Sequence, residues 1–302
     1  MDGILIIDKR AGISSHDVVA RVRRILKIKR VGHTGTLDPF ATGVMVVLVG
    51  KATRLAQFLD KDEKEYEALV RFGFETDTGD RTGVRSAECG VRSEEIDATL
   101  ESVNWNDVFA GFLGGIAQIP PMYSAKKVAG KKLYELARKG ETVERAPVKV
   151  VVSKLEVVDS TELRTPQSAI RICVTCSAGT YIRTLAEDIG RKVGVGAHLA
   201  ELRRTRAGRF DLSRSITLDE LAELDEPTAA LIPMEKAVEH LPSITLAADR
   251  AEKAKGGLST YIAETEFTNG QPVRMLDDSE RLIAIGFYEE SEKSVRPKVV
   301  LV

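Results

Sequence analysis

The segment Gly32-His33-Thr34-Gly35-Thr36-Leu37-Asp38-Pro39-Phe40-Ala41-Thr42-Gly43 runs directly into the apolar stretch Val44-Met45-Val46-Val47-Leu48-Val49. Three glycines and a proline bend the backbone around a single acidic side chain, and the apolar residues that follow read as a buried strand. Glycine admits backbone angles that other residues resist, while Pro39 fixes its own φ and pushes Asp38 toward an extended conformation. The expected product is a shaped loop, anchored by a core strand, that holds one carboxylate at a defined place. Asp-Pro in glycine-rich sequence is also ordinary turn chemistry, and in isolation the segment reads first as a connection. It is not a phosphate-binding P-loop. That loop requires Gly-Lys followed by Ser or Thr, whereas Gly50-Lys51 is followed by Ala52, and Met45 stands where the first glycine is needed.

The chain of 302 residues has room for one large domain and a small one. Its 43% hydrophobic and 29% charged residues are those of an ordinary globular protein. The apolar residues Ile4–Ile7 are cut off by Asp8-Lys9-Arg10, too soon for a signal-peptide core. No stretch approaches a membrane span, so a cytoplasmic protein is expected. Cysteines 89, 173 and 176 form no disulfide framework. Cys173-Val174-Thr175-Cys176 has CxxC spacing, but it lies in an alternating, strand-like run, where residues three apart face opposite sides. No second pair or nearby histidine accompanies it, so no metal is expected.

The formal net charge of −1 hides an uneven distribution. Arg21 to Arg30 carries six basic residues and no acid, and Tyr123 to Val150 carries eight basic against three acidic. Arg203 to Arg214 adds five against one, whereas Asp219 to Glu239 holds seven acids and only Lys236. Each run alone reads as a solvated face; together they allow a one-sided positive surface of the kind that binds nucleic acid.

Ser14-Ser15-His16-Asp17 has the form of a capping box, and Val18, Val19, Val22, Ile25 and Leu26 follow at helical spacing. Further helices are expected over 52–59, over 93–113 with a break near Asn104-Trp105-Asn106, over 131–139 up to Gly140, and over 181–193. Strands are expected over 66–72, 147–158 and 168–176. Helices of uneven length between strands indicate an α+β (mixed α/β) core rather than a regular doubly wound sheet. Residues from Ser213 to Pro242 read as acidic and helical. The last sixty residues, with short apolar runs at 273–276, 282–287 and 299–302 and a turn at Asn269-Gly270, read as a small β-rich domain.

The glycine-rich block, read whole, resembles the nucleophile motif of the TruB-type tRNA pseudouridine synthases, GHTGTLDP.ATG. Colinear pieces extend the resemblance over roughly the first 210 residues. They include Lys64-Glu65-Tyr66, Thr76-Asp77-Thr78-Gly79-Asp80, Pro120-Pro121-Met122-Tyr123-Ser124-Ala125-Lys126-Lys127, Ser177-Ala178-Gly179-Thr180-Tyr181-Ile182-Arg183-Thr184 and Leu202-Arg203-Arg204. The resemblance implies a catalytic domain over 1–242, with a mixed, largely antiparallel sheet flanked by helices, a thumb-like insertion at about 117–146 and an acidic helical connector at about 213–242. It implies a PUA-like RNA-binding domain over 243–302.

What the resemblance implies for the site is specific. Asp38 would be the catalytic carboxylate, able to add to C1′ or to take a C2′ proton. Arg183 would pair with it and keep it ionised. Tyr66 would stack on the target base and relay a proton. Tyr181 and Leu202 would line the uracil pocket, and His33 would take the place of the flipped-out base. Lys9 and Asp77 fall on further family positions that meet substrate. Lys126, Lys127, Lys131, Lys132 and Arg138 would close over the RNA backbone. Arg10 stands where the family usually has proline. The expected activity is isomerisation of the T-loop uridine at tRNA position 55, by a monomer needing no cofactor, metal or guide RNA. Two other readings remain open on the sequence: a guide-RNA-dependent synthase of H/ACA particles, which lacks such a thumb, and a tRNA-binding chaperone whose catalysis is secondary.

Overall fold

The computed structural model describes the chain except residue 61, residues 89–92, residue 129, residues 160–167 and residues 263–264. Cys89 lies outside the described residues.

The apolar run after the loop forms the strand Thr42–Val49 and pairs antiparallel with Gly3–Lys9 in register, Gly3 opposite Val49. Continuous rather than alternating apolarity has a reason: both faces of this pair are covered. Leu5, Ile7, Met45, Val47 and Val49 pack on the helix Ser15–Ile25. Ile4, Ile6, Val44, Val46 and Leu48 pack against Leu276, Leu282, Ile285 and Val299 of the C-terminal sheet. The capping box forms as expected, with Ser14 as N-cap and Asp17 closing it.

The larger sheet has nine strands, seven of them in the order Gly3–Lys9, Thr42–Val49, Ala197–Ala207, Lys64–Phe72, Ala169–Cys176, Val148–Asp159, Gly114–Gln118. It is mixed and largely antiparallel: Ala197–Ala207 meets Thr42–Val49 in parallel and Lys64–Phe72 antiparallel. This central strand was not assigned from sequence. Its apolar residues do not alternate cleanly, because Arg203 and Arg204 interrupt them and the register slips at two points. A core that includes Ala68, Val70, Ile170, Ile172 and Leu199 is covered by the helix Ile182–Val193 and its neighbours. Cys176 is buried and Cys173 half-buried on opposite faces of their strand. The helix expected over 93–113 is indeed broken, into Ser93–Ser102 and Trp105–Ala110, with Asn104 capping the second.

Two expectations need correction. The helix expected at 131–139 is only Leu133–Ala137, because Lys127–Val128 and Lys131–Lys132 pair as a hairpin whose turn uses Gly130 at φ +82°. The acidic segment is less helical than expected. Its helices Leu218–Glu223 and Met234–Ala237 are short, and between and before them Ile216 and Ile232 pair with the edge strand Gly3–Lys9. The backbone groups of that edge strand need partners, and Ile216 and Ile232 bond Ile6, Asp8 and Ile4 at 2.8–3.0 Å.

Residues 243–300 form a five-stranded sheet in the order Ser243–Thr245, Pro272–Leu276, Leu282–Glu289, Ser294–Val300, Thr260–Tyr261. Its last long strand begins five residues before the apolar run at 299–302 that marked it in sequence. Among the described residues no helix is long and apolar enough to cross a membrane.

Candidate active site

The loop from Thr34 to Ala41 is an expanded hairpin connection, since Val31–His33 and Thr42–Val49 pair on either side of it. Its backbone is gripped at several points. Ser15 Oγ donates to Leu37 O (3.0 Å) and accepts from Leu37 N (2.9 Å). Lys9 Nζ donates to Ala41 O at 2.6 Å, Arg10 O at 3.0 Å and Pro39 O at 3.3 Å. Arg204 donates to Val44 O (2.7 Å) and Gly35 O (3.3 Å). Gly43 has φ +99°, and a Cβ there would run into the Arg204 backbone, so glycine is what lets the parallel strand approach. Asp38 is thus fixed from both flanks.

Arg183, on the first turn of the helix Ile182–Val193, meets Asp38 with a two-atom fork: Nε to Oδ2 at 2.9 Å and a terminal nitrogen to Oδ1 at 3.3 Å. Its remaining donors reach Thr78 O and Tyr123 O, both at 2.8 Å, and a second carboxylate, Asp80, lies at 3.7 Å. Such a planar fork suits bidentate recognition and leaves little freedom to either partner. Burial is the largest influence on the Asp38 carboxyl and raises its pKa above the usual carboxylate range. Arg183 and Lys9 pull it down, while Asp80 pushes it up. The expectation that Arg183 keeps Asp38 ionised therefore captures the lesser influence. The result is a more basic carboxylate, better suited to attack or to proton removal.

Above the pair opens a cleft of about 250 Å³, lined by Tyr66, Tyr181, Leu202, Lys64 and Arg204. It lies at the small end of ligand pockets, which run from roughly 300 Å³ upward. Gln118 holds Tyr181 by a reciprocal pair of bonds to its backbone, donating to Tyr181 O (3.3 Å) and accepting from Tyr181 N (3.0 Å). Burial raises the Tyr66 phenol, opposed by Arg204, so Tyr66 stays a neutral ring. A second cavity opens on the other side of Asp38 and Arg183, lined by His16, Tyr123, Tyr134, Lys132 and Arg138. There Lys132 and Arg138 each stand 5.4 Å from the Tyr134 ring centre.

Of the residues expected from sequence, Asp38, Tyr66, Tyr181, Arg183 and Leu202 come together. His33 does not line the cleft; it is half-buried at the start of the loop, edge-on to His16 at 6.2 Å between ring centres. Its Nδ1 accepts from Gly35 N (3.2 Å), and burial, His16 and Arg204 lower its pKa, which keeps the ring neutral. Lys9 is not open to a substrate at all. It is fully buried beneath the loop, and burial lowers its pKa to about 8. Asp77 is exposed and accepts from Val84 N (2.8 Å) at the neck of its own turn. The carboxylate of that motif that reaches Arg183 is Asp80, held by Thr78 Oγ1 (3.0 Å) and Thr82 N (2.8 Å). Lys126, Lys127 and Lys131 line neither cavity; Lys132 and Arg138 line the second. Asp80 and Arg204 lay inside motifs already noted, but Gln118 and Lys9's clamp carried no sequence signal that separates them from ordinary core residues. Among the described residues no group of three or more His, Cys, Asp or Glu side chains could hold a metal ion.

A sequence profile of the TruB family pseudouridylate synthase N-terminal domain matches residues 23–182, more than half of the chain. The chain belongs to this family. The profile of the tRNA pseudouridylate synthase B C-terminal domain matches residues 183–239, so Asp38 and Arg183 fall in different matched segments and the ion pair joins them. Among curated proteins, the chain is 45% identical to tRNA pseudouridine synthase B of Geobacillus thermodenitrificans, over 85% of each chain. It is 38% identical to the Bacillus subtilis protein of the same name, covering 100% of this chain and 98% of that one. Among solved structures, one described as an H/ACA RNP bound to a substrate RNA containing 2'-deoxyuridine matches with a TM-score of 0.72 and 28% identity. That match covers 99% of this chain and 85% of the other. The family is one of isomerases, and the mixed sheet with a β-rich C-terminal sheet is the fold this chain shares with these neighbours.

Proposed function

We propose that this chain isomerises the T-loop uridine at position 55 of tRNA to pseudouridine, with Asp38 as the reacting carboxylate. The observation that supports this best is the Asp38–Arg183 fork at the floor of a cleft of single-base size, walled by Tyr66, Tyr181 and Leu202. The relatives named tRNA pseudouridine synthase B, similar over 85% or more of the chain, support tRNA as substrate; the cytoplasm as its place of action is part of the proposal.

In this reading the uridine leaves its stack and enters the cleft between the Tyr66 and Tyr181 rings, and planar contacts offset the few kcal/mol that unstacking costs. Asp38 meets positive character at the sugar as the N1–C1′ bond breaks, either by adding at C1′ or by taking the C2′ proton. The Arg183 fork holds the carboxylate on line and stabilises its charge. The freed uracil turns inside the closed cleft and rejoins through C5; the C5 proton departs and N1 gains one. Neutral Tyr66 stacks, and it is a poor acid for that transfer. His33, neutral and outside the cleft, fills space in the opened RNA. Thumb cations hold the backbone, and the protein works as a monomer on bare tRNA.

The test is incubation of the full chain with an unmodified tRNA transcript, followed by mapping of pseudouridine. Conversion at position 55 without guide RNA is expected, and Asp38→Asn should lose at least about 10³-fold in kcat while still binding tRNA. Conversion only when a guide RNA is supplied would favour the H/ACA-type reading instead. Full activity in Asp38→Asn would end the mechanistic claim.

A further inference from the structure

Ser124 is 5% exposed, and among the described residues its Oγ finds no hydrogen-bond partner. A buried hydroxyl in that state has given up its bonds to water for nothing. A hydroxyl held there without a protein partner is free for a ligand that enters beside it. The position of Ser124 says which partner. It lines both cavities, as do Asp38 and Arg183, so it stands on the boundary between them.

A nucleotide has three parts in fixed order: base, ribose, phosphate. The cavity with Tyr66 and Leu202 suits a base, and the cavity with Lys132 and Arg138 suits a phosphate. The ribose then falls on their shared boundary, beside the carboxylate that must reach it. Within an RNA chain the free hydroxyl of the ribose is the 2′-OH, which both donates and accepts, as serine does. We propose that Ser124 hydrogen-bonds the 2′-hydroxyl of the target nucleotide and so makes the site distinguish ribose from deoxyribose there. The inference rests on the RNA-isomerase reading above and adds a sugar-reading contact to it.

The contact requires the 123–125 segment to shift, since the hydroxyl is sealed from solvent. The segment is joined to what would move it. Ser124 O accepts from Tyr134 N (3.0 Å) at the thumb helix, and Tyr123 O accepts from Arg183 (2.8 Å). Closure of Lys132 and Arg138 on a phosphate would pull on Ser124 through the first bond.

The experiment is a two-by-two comparison of RNA binding by the full chain carrying Asp38→Asn, which removes turnover. T-stem-loop RNAs with uridine or 2′-deoxyuridine at the target position alone are titrated against the protein with Ser124 and with Ser124→Ala. The alanine change should weaken binding of the uridine RNA roughly three- to tenfold and leave the deoxyuridine RNA unchanged. Equal weakening of both RNAs, or of neither, overturns the proposal. A thermal melt checks the fold of the alanine variant; should it not fold, Ser124→Cys, with its weakly bonding thiol, is read against the same two RNAs by the same criteria. A wild-type chain that modifies no uridine in tRNA would refute the function; normal modification with a flat two-by-two result would refute this contact alone.

Discussion

On one side of the cleft, Asp38 sits in a loop whose backbone is gripped by Ser15, Lys9 and Arg204, and its side chain is gripped by Arg183. On the other side, the segment from Tyr123 to Arg145, which the resemblance casts as a thumb, has a short hairpin, a five-residue helix and a set of half-buried and exposed cations. The first wall satisfies its polar groups internally, which costs it freedom and gives it precision. Among the described residues, the second gives Lys132 and Arg138 only the Tyr134 side chain to lean on and Arg145 the Pro120 carbonyl, and turns Lys127, Lys131 and Lys139 to solvent. Geometry that must be right to within a fraction of an ångström is worth fixing before the substrate arrives. A clamp that must let RNA in and out is not. Substitutions in the first wall should therefore reduce kcat, and substitutions in the second should change affinity and its salt dependence.

The largest effect expected within this comparison is at Arg183. Arg183→Lys keeps a positive charge but cannot hold Asp38 with two atoms while also reaching Thr78 O and Tyr123 O. Pseudouridine formation should fall about 10²-fold in kcat with KM little changed. Single-turnover assays at saturating enzyme would check it, and a loss confined to KM would break the contrast between the walls.

How much of this was legible in the sequence differs between the same two regions. The loop, its strand and Asp38 stand out because glycines, a proline and an apolar run constrain the backbone so strongly; Tyr66, Tyr181, Arg183 and Leu202 carry no such signal and are marked only by the family resemblance of the motifs around them. A motif position does not say which way a side chain turns: Lys9 faces inward under the loop and is closed to a substrate, and of the motif over 76–80 it is Asp80 that reaches Arg183, while exposed Asp77 accepts from Val84 N. The strand Ala197–Ala207 escaped notice because its two neighbours, one parallel and one antiparallel, come from distant parts of the chain, and two register slips disturb the alternation. In the thumb, the charges were legible but the fold was not. A two-residue hairpin at Gly130 looks like a weak helix when helix-forming lysines surround it.

A smaller effect is expected one layer behind the first wall. Gln118→Leu would leave the Tyr181 N–H and C=O without their side-chain partners, at a cost of about 1–3 kcal/mol in stability. Because Tyr181 precedes the helix that carries Arg183, kcat should also drop, by roughly tenfold. Chemical denaturation and turnover assays on the same preparation would show whether the two losses occur together. Stability lost with kcat intact would mean that the site tolerates more movement than the Asp38–Arg183 geometry implies.

In the thumb, Lys132→Ala and Arg138→Ala should each weaken RNA binding about three- to tenfold near physiological salt and leave kcat unchanged. Each should also flatten the dependence of log K on log salt by roughly 0.7–0.9, the signature of one lost phosphate contact. Binding titrations across a salt series provide the measurement. An unchanged slope would mean that these cations serve the Tyr134 ring they flank rather than RNA.

The smallest effect on turnover is expected at Glu187, one helical turn beyond Arg183, where the rigid wall stores a cost. Burial is the largest influence there and lifts its pKa from 4.5 to about 7; Arg191 and Arg183 oppose the rise, and Glu75 and Asp188 add to it. A carboxyl whose pKa is raised by folding binds its proton more tightly in the native state. Its contribution to stability is then fully present below pH 4.5 and is lost as the pH rises through about 7. Glu187→Gln resembles the protonated form permanently. The variant should match the wild type at pH 4.5 and exceed it at pH 8 by up to about 3 kcal/mol, an upper bound because its side chain keeps 20% exposure. Its kcat should stay within about twofold. Thermal melts of both proteins at the two pH values give the sign directly. A variant less stable than the wild type at pH 8 would mean that the pairing of Glu187 with Arg191, 3.8 Å away, outweighs its burial, and that the wall behind the site is held by that charge rather than strained by it.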